Sequence, residues 1–199
     1  GYLDATGEHN GSNTIFVTAS VDYGGTNWAG PFSSALESNI PAGTTRISDK
    51  VSVNIPAGVQ FWTRQNVRTA NAAETFRTGY AIRTDLGEDS SITDAAAQVS
   101  GTGPLTNGTA PGNVFCPSAI LGASIEGRPP SVIIVGSSSA YGQGETFASI
   151  RAPASYGYLA RMLSNNIGHT VLATGSLTLA QWIAASTIRM AHLNTCVPT

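Results

Sequence analysis

Three consecutive serines, Ser137, Ser138 and Ser139, follow a short apolar run and are the residues of this sequence best suited to nucleophilic chemistry. The run, Ser-Val-Ile-Ile-Val-Gly over residues 131–136, predicts a parallel strand buried on both faces. Its glycine and the serines mark the strand's carboxyl end, the edge of an open α/β sheet at which ligands bind. A serine hydroxyl there can attack a carbonyl, while backbone N–H groups stabilise the oxyanion. The same residues also fit a serine-rich loop after an ordinary core strand.

This segment resembles the first motif of the SGNH, or GDSL-type, hydrolases, which is Gly-Asp-Ser-x-x-x-Gly after a buried strand. Gly136, Ser138 and Gly142 match the motif's first glycine, its nucleophile and its closing glycine, whereas Ser137 stands where the family has aspartate. The resemblance implies that Ser138 is the nucleophile and that Gly136, Ser137 and Gly142 support it. Because the family's aspartate helps to hold the active-site loops, serine at 137 weakens the match and leaves open both an active site and a loosened or inactive one.

A second family motif resembles residues 170–176, where Gly175 matches the glycine whose amide helps to form the oxyanion hole. Residues 156–163 resemble the first helix of that fold, so the resemblance covers residues 131–199. The family's oxyanion-hole asparagine and its Asp-x-x-His have no match after Gly175. Two strand-helix units cannot close a doubly wound core. We therefore expect a partial domain, completed by further sequence or by another chain.

The pattern changes character near residue 124, which predicts two domains. Before it, residues 14–18, 46–55, 59–64 and 79–83 read as short strands, 56–58 as a tight turn and 100–112 as an exposed loop. We predict a β-sandwich or jelly-roll accessory domain over 1–123, a linker over 124–130, and the start of a flavodoxin-like, SGNH-type α/β domain over 131–199. In the last segment Thr178 is the predicted N-cap of an amphipathic helix.

Five aromatic residues of the first predicted domain suggest a binding surface. They are Tyr23, Trp28, Phe61, Trp62 and Tyr80. Flat aromatic rings suit the stacking of sugars, yet most of these side chains are expected in the core. Phe61 and Trp62 alternate along a predicted strand, so one is expected inside and the other outside. An exposed ring would mark a ligand platform or a subunit contact.

Composition narrows the classes of partner. Only 11% of residues are charged, the net charge is −2, and nine of the ten basic residues are arginines without clustering, which argues against nucleic-acid binding. No apolar run is long enough to span a bilayer. No metal-ligand spacing or cofactor motif is present, and His9, His169 and His192 do not match the family's general base. Cys116 and Cys196 fit either a disulfide or separate thiols.

Three classes of function follow. The resemblance implies a serine ester hydrolase, with carbohydrate O-deacetylation through an acyl-enzyme on Ser138 as the expected reaction and an acetylated glycan as substrate. The rival is a structural or receptor-binding component of a viral or cell-surface assembly that keeps an inactive hydrolase scaffold. The third class is a carbohydrate-binding module without catalytic activity. All three favour a secreted, cell-surface or virion location, and the chain is a candidate homo-oligomer.

Overall fold

The protein is β-rich. A computed structural model describes residues 2–4, 7–9, 11–31, 35–76, 80–81, 87–91, 96–106, 108, 113–115, 117, 120–125, 127, 131–137, 140, 162–163, 167–173, 178–184, 190 and 194. The chain forms two compact units: Gly1–Tyr2 with His9–Cys116, and Leu3–Glu8 with Pro117–Thr199.

Strands outnumber helices in the described part. The strands are β1 (Tyr2–Asp4), β2 (Gly7–His9), β3 (Ile15–Tyr23), β4 (Thr26–Ala29), β5 (Glu37–Ile40), β6 (Trp62–Thr69), β7 (Tyr80–Ala81), β8 (Asn113–Val114), β9 (Ser131–Gly136) and β10 (Gly168–Ala173). A 3-10 helix covers Ala96–Ser100, and the α-helix α1 covers Leu179–Ala184. No helix among the described residues is long and apolar enough to cross a bilayer.

The first unit is organised around β3, the long central strand of a four-stranded antiparallel sheet. Strand β6 pairs with β3 from Ile15 to Asp22, while β5 and then β4 pair with successive halves of its other edge. Gly24 and Gly25, at φ 61° and 76°, join β3 to β4. Positive φ at both positions is what a two-residue type I′ hairpin loop requires. The antiparallel strands predicted for this part of the chain are therefore confirmed.

Residues 46–55 differ from prediction, because no strand forms there. The expected alternation is present, since Val51, Val53 and Ile55 are half-buried and their neighbours are exposed. Alternation alone does not make a strand, which needs ladder hydrogen bonds to a neighbour. The amide of Val53 instead donates to the Val51 carbonyl at 3.0 Å. The predicted turn at 56–58 is confirmed by the 3.3 Å hydrogen bond from the Val59 amide to the Pro56 carbonyl.

In the second unit β9 and β10 form the predicted parallel pair, in register from Ser131 opposite Gly168 to Gly136 opposite Ala173. Ile134 is buried with Ala140, and Val132 and Leu163 pack against them. Ile133 and Val135, which point to the opposite face, are 43% and 44% exposed. The apolar run by itself favoured burial on both faces, whereas a partial domain was expected to leave apolar surface exposed, and the described structure shows the exposed face. An apolar run specifies a strand but not what packs on each side.

Helix α1 begins as predicted, at Thr178. The Thr178 hydroxyl accepts from the Gln181 amide at 3.2 Å, and the Gln181 side-chain oxygen accepts from the Thr178 amide at 2.9 Å. This reciprocal pair is a capping box. The predicted apolar stripe is not a buried face, because Leu179, Ile183 and Met190 are exposed.

Candidate functional site

The carboxyl end of β9, where the nucleophile was predicted, is a sharp turn. The Ala140 amide donates to the Ser137 carbonyl at 3.1 Å, so residues 137 and 140 lie close together directly after the strand. A Cβ added to Gly136 would lie 2.5 Å from the Ala140 Cβ, closer than real side-chain carbons approach. Glycine at 136 therefore permits the close return of the chain onto the strand.

The predicted catalytic pair lies just past the described strand ends. Ser138 is two residues beyond Gly136, and Gly175 is two residues beyond Ala173. Gly136 and Ala173 are register partners, so both strands reach the same edge of the parallel pair. Ser138, Gly142 and Gly175 themselves fall outside the described residues.

Ser137 differs from expectation. The resemblance puts it at the position of a buried aspartate, which predicts a side chain turned toward the protein, but in the structure Ser137 is exposed. Its carbonyl closes the turn to Ala140. Among the described residues, the contribution of Ser137 to this edge is therefore a backbone one.

His169 is not near that edge. It pairs with Val132, four residues before the Gly136–Ala173 end of the ladder. Four residues of strand span about 13 Å, which is far beyond hydrogen-bond reach. Its Nδ1 lies 3.4 Å from the Ile167 carbonyl oxygen. The prediction that His169 is not the general base agrees with this placement, while His192 lies outside the described residues.

A second candidate site, a cleft of about 330 Å³, lies in the first unit at the β3–β4 end of the antiparallel sheet. Its lining residues come from the β3–β4 hairpin, the start of β6 and the loop after the 3-10 helix: Asp22, Tyr23, Gly24, Gly25, Gln60, Trp62, Thr102 and Gly103. The volume is at the lower end of the range for small-molecule sites, which is about 300–1,000 Å³.

One lining residue of this cleft, Asp22, belongs to a buried ion pair with Arg64. Asp22 and Arg64 lie 2.8 Å apart, with 5% and 9% of their side-chain surfaces exposed. Asp22 Oδ2 accepts two hydrogen bonds from the Arg64 guanidinium, one from Nε and one from Nη2. It accepts a third from the Gly103 amide at 3.0 Å. Arg64 also donates to the carbonyls of Gln98 and Gly103. The pair is thus charge-neutral and held by the loop that follows the 3-10 helix.

Further polar contacts on the same sheet face fix that loop. Ser20 Oγ donates to the Val99 carbonyl at 2.5 Å, and Asn27 Nδ2 donates to the Gly101 carbonyl at 2.8 Å. The Gln98 side chain bonds both backbone groups of Thr106. Because each of these side chains bonds to backbone groups, the 3-10 helix and the loop after it are positioned by their main chain.

Four of the five aromatic residues singled out in the sequence have described burial, and none of the four is a core residue. Tyr23, Trp28, Phe61 and Trp62 are all half-buried, so Phe61 and Trp62 do not divide into one inside and one outside. Tyr23 and Trp28 stack on each other, with ring centroids 6.3 Å apart. Trp62 is the register partner of Asp22, and its ring edge lies beside Gly87. Tyr80 lies in β7, and its side chain is outside the described part of the structure.

Sequence reasoning predicted a loop over 100–112 but did not connect it, Asp22 or Arg64 with a site. One local signal was available: Gly24-Gly25 between polar and apolar alternation is a hairpin dipeptide, and it places Asp22 two residues before a tight turn. The pairing of Asp22 with Arg64 had no local signal, since 42 residues separate them.

No protein-family model, curated protein or solved structure matches this chain.

Proposed function

We propose that the protein is an SGNH-type serine ester hydrolase acting on an acetylated carbohydrate, with Ser138 as the nucleophile. The observation that carries the proposal is the end of β9, where a parallel strand leads into a turn so tight that position 136 requires glycine. Such a turn holds the residues after the strand at the sheet edge where α/β enzymes bind ligands. We also propose that the second unit has a flavodoxin-like fold and that the first unit is a β-sandwich.

The proposed reaction is an acyl transfer in two steps. The Ser138 hydroxyl attacks the acetyl carbonyl carbon, its proton passes to a general base, and the carbonyl π electrons move to oxygen. The amides of Ser138 and Gly175 donate to that oxyanion, whose collapse expels the sugar alcohol, which takes up a proton. Water then attacks the acetyl-serine and releases acetate.

Covalent labelling tests the assignment. The protein is treated with a fluorophosphonate probe, which phosphonylates activated serines, and compared with the Ser137→Ala, Ser138→Ala and Ser139→Ala variants. The three serines are adjacent, so Ser137→Ala and Ser139→Ala are matched controls. We expect Ser138→Ala alone to abolish labelling. Equal labelling of all variants, or none in the parent protein, would reject Ser138 as a nucleophile.

A second candidate, a structural or receptor-binding component that keeps an inactive hydrolase scaffold, is favoured by one observation. The β9 face that carries Ile133 and Val135 is open to solvent, and contiguous apolar surface of this kind is typical of sites that contact other proteins. The labelling experiment separates the two candidates, because only the enzyme has an activated serine.

A further inference from the structure

The cleft of the first unit has the chemistry of a ligand site that is separate from Ser138. It combines an aromatic ring, a buried carboxylate and an exposed glycine turn at the end of one sheet. The carboxylate and the ring are held side by side, because Asp22 and Trp62 are register partners on β3 and β6. Side chains at such opposed positions have Cβ atoms about 4.5–5.5 Å apart.

One oxygen of the Asp22 carboxylate is available to a ligand. Within the described structure all three donors to this carboxylate, two from Arg64 and one from Gly103, bond to Oδ2. Oδ1 has no donor there, although the side chain is only 5% exposed and lines the cleft. A carboxylate oxygen accepts up to two hydrogen bonds, so Oδ1 is a fixed acceptor for a ligand donor.

The charge of the site selects a neutral ligand. Among the described residues that line the cleft, Asp22 is the only charged one, and Arg64 neutralises it. Four of the five guanidinium N–H groups donate to Asp22 Oδ2 and to the carbonyls of Gln98 and Gly103, and the Arg64 side chain is only 9% exposed, which disfavours binding of an anion. A cation gains little from a carboxylate that already has its counter-ion.

The glycine turn leaves room for a flat ring. Gly24 and Gly25 carry no side chains, and a Cβ added to either would meet nothing within 4 Å. A ring resting against Trp62 therefore meets backbone on its hairpin side. The face of a pyranose presents C–H groups that stack on indole, while its hydroxyls donate hydrogen bonds around the rim. Apolar contact with a few convergent polar groups is the general pattern of small-molecule sites.

We infer that this cleft binds a neutral saccharide, with a pyranose ring stacked on Trp62 and a hydroxyl donating to Asp22 Oδ1. The Gly103 amide and Arg64 hold the carboxylate in place through their hydrogen bonds to Oδ2. The site does not depend on the proposed esterase activity, since every residue that forms it lies in the first unit.

Saturation-transfer difference NMR tests the inference on the whole chain. The probes are the methyl pyranosides of glucose, galactose, mannose and N-acetylglucosamine, with adenosine as a neutral aromatic competitor. We expect at least one pyranoside to receive saturation, most strongly at the ring C–H protons of one face. Signals from adenosine alone, or from no pyranoside, would overturn the inference.

Variants locate the binding. Trp62→Ala should weaken affinity about tenfold or more, since stacking is lost. Thr102→Leu adds bulk from an exposed rim position, so it should block the cleft without disturbing the fold. Trp182→Phe, in the second unit, is the matched aromatic control and should bind like the parent. Ser138→Ala should also bind normally, which separates this site from the proposed esterase. Unchanged binding in both Trp62→Ala and Thr102→Leu would overturn the assignment.

Discussion

At the scale of single residues, two arginine-carboxylate pairs among the described residues of the first unit differ in their surroundings. Asp22–Arg64 is buried, whereas Arg68–Glu37 is exposed although its 2.7 Å distance is just as short. Arg68 also lies over the Phe16 ring at 4.4 Å. Removing one partner of a buried pair leaves an uncompensated charge away from water, while an exposed pair is solvated either way.

Asp22→Asn should therefore lower the free energy of unfolding by about 3–5 kcal/mol, and Glu37→Gln by about 0–1 kcal/mol. Both substitutions remove one negative charge and keep the side-chain shape, so they are matched. Urea unfolding followed by tryptophan fluorescence measures the difference. Equal effects would show that burial does not set the contribution of the Asp22–Arg64 pair.

Gly136 is the second residue with a specific consequence. Gly136→Ala should destabilise the second unit by about 1–3 kcal/mol, because the new methyl group collides with Ala140. Gly168→Ala is the control, since it lies on the paired strand and its added Cβ meets nothing within 4 Å. The double variant Gly136→Ala/Ala140→Gly should recover part of the loss. No recovery would mean that the collision is not the cause.

At the scale of elements, α1 is a short helix that depends on its first turn. It has six residues and several exposed apolar side chains, so tertiary packing supports it weakly. Helices of this length are unstable alone. The capping box of Thr178 and Gln181 is thus the main local contribution to its stability.

Thr178→Ala should destabilise α1 by about 0.5–2 kcal/mol, because the Gln181 amide loses its acceptor. Hydrogen exchange of the amides of Leu179 to Ala184 reports this locally. Gln181→Glu should leave the protection unchanged, since glutamate also closes a capping box. Faster exchange in both variants would contradict the role given to the Gln181 side chain.

At the scale of the whole molecule, the two units differ in what covers their sheets. The first unit covers one sheet face with the polar network that joins Ser20, Asn27 and Arg64 to the 3-10 helix and the loop that follows it. In the second unit Ile133 and Val135 remain exposed on β9. Exposed apolar clusters bind hydrophobic dyes and promote association.

Replacing Ile133 and Val135 together with threonine should reduce the binding of a hydrophobic dye and any concentration-dependent association. Threonine keeps the β-branched shape that suits a strand. Ile47→Thr, an exposed apolar position in the first unit, is the control. Dye fluorescence and analytical ultracentrifugation give the measurements. A larger loss of dye binding in Ile47→Thr than in the β9 variant would contradict this account.

The sequence by itself determined the local features of this protein. The strand at 131–136 and its parallel partner, the turn at 56–58 and the cap at Thr178 were all predictable, because each depends on neighbouring residues and their backbone preferences. The hairpin at Gly24-Gly25 carried the same kind of signal.

Only the tertiary structure decided the rest. Val51, Val53 and Ile55 alternate as a strand does, but a strand needs a ladder partner that the segment's own residues cannot supply. The apolar run at 132–135 does not encode which face is covered. At the cleft of the first unit, hydrogen bonds join Asp22 to Arg64 and Gly103, which are 42 and 81 residues further along the chain. Contacts over such distances arise from packing, and no local preference specifies them.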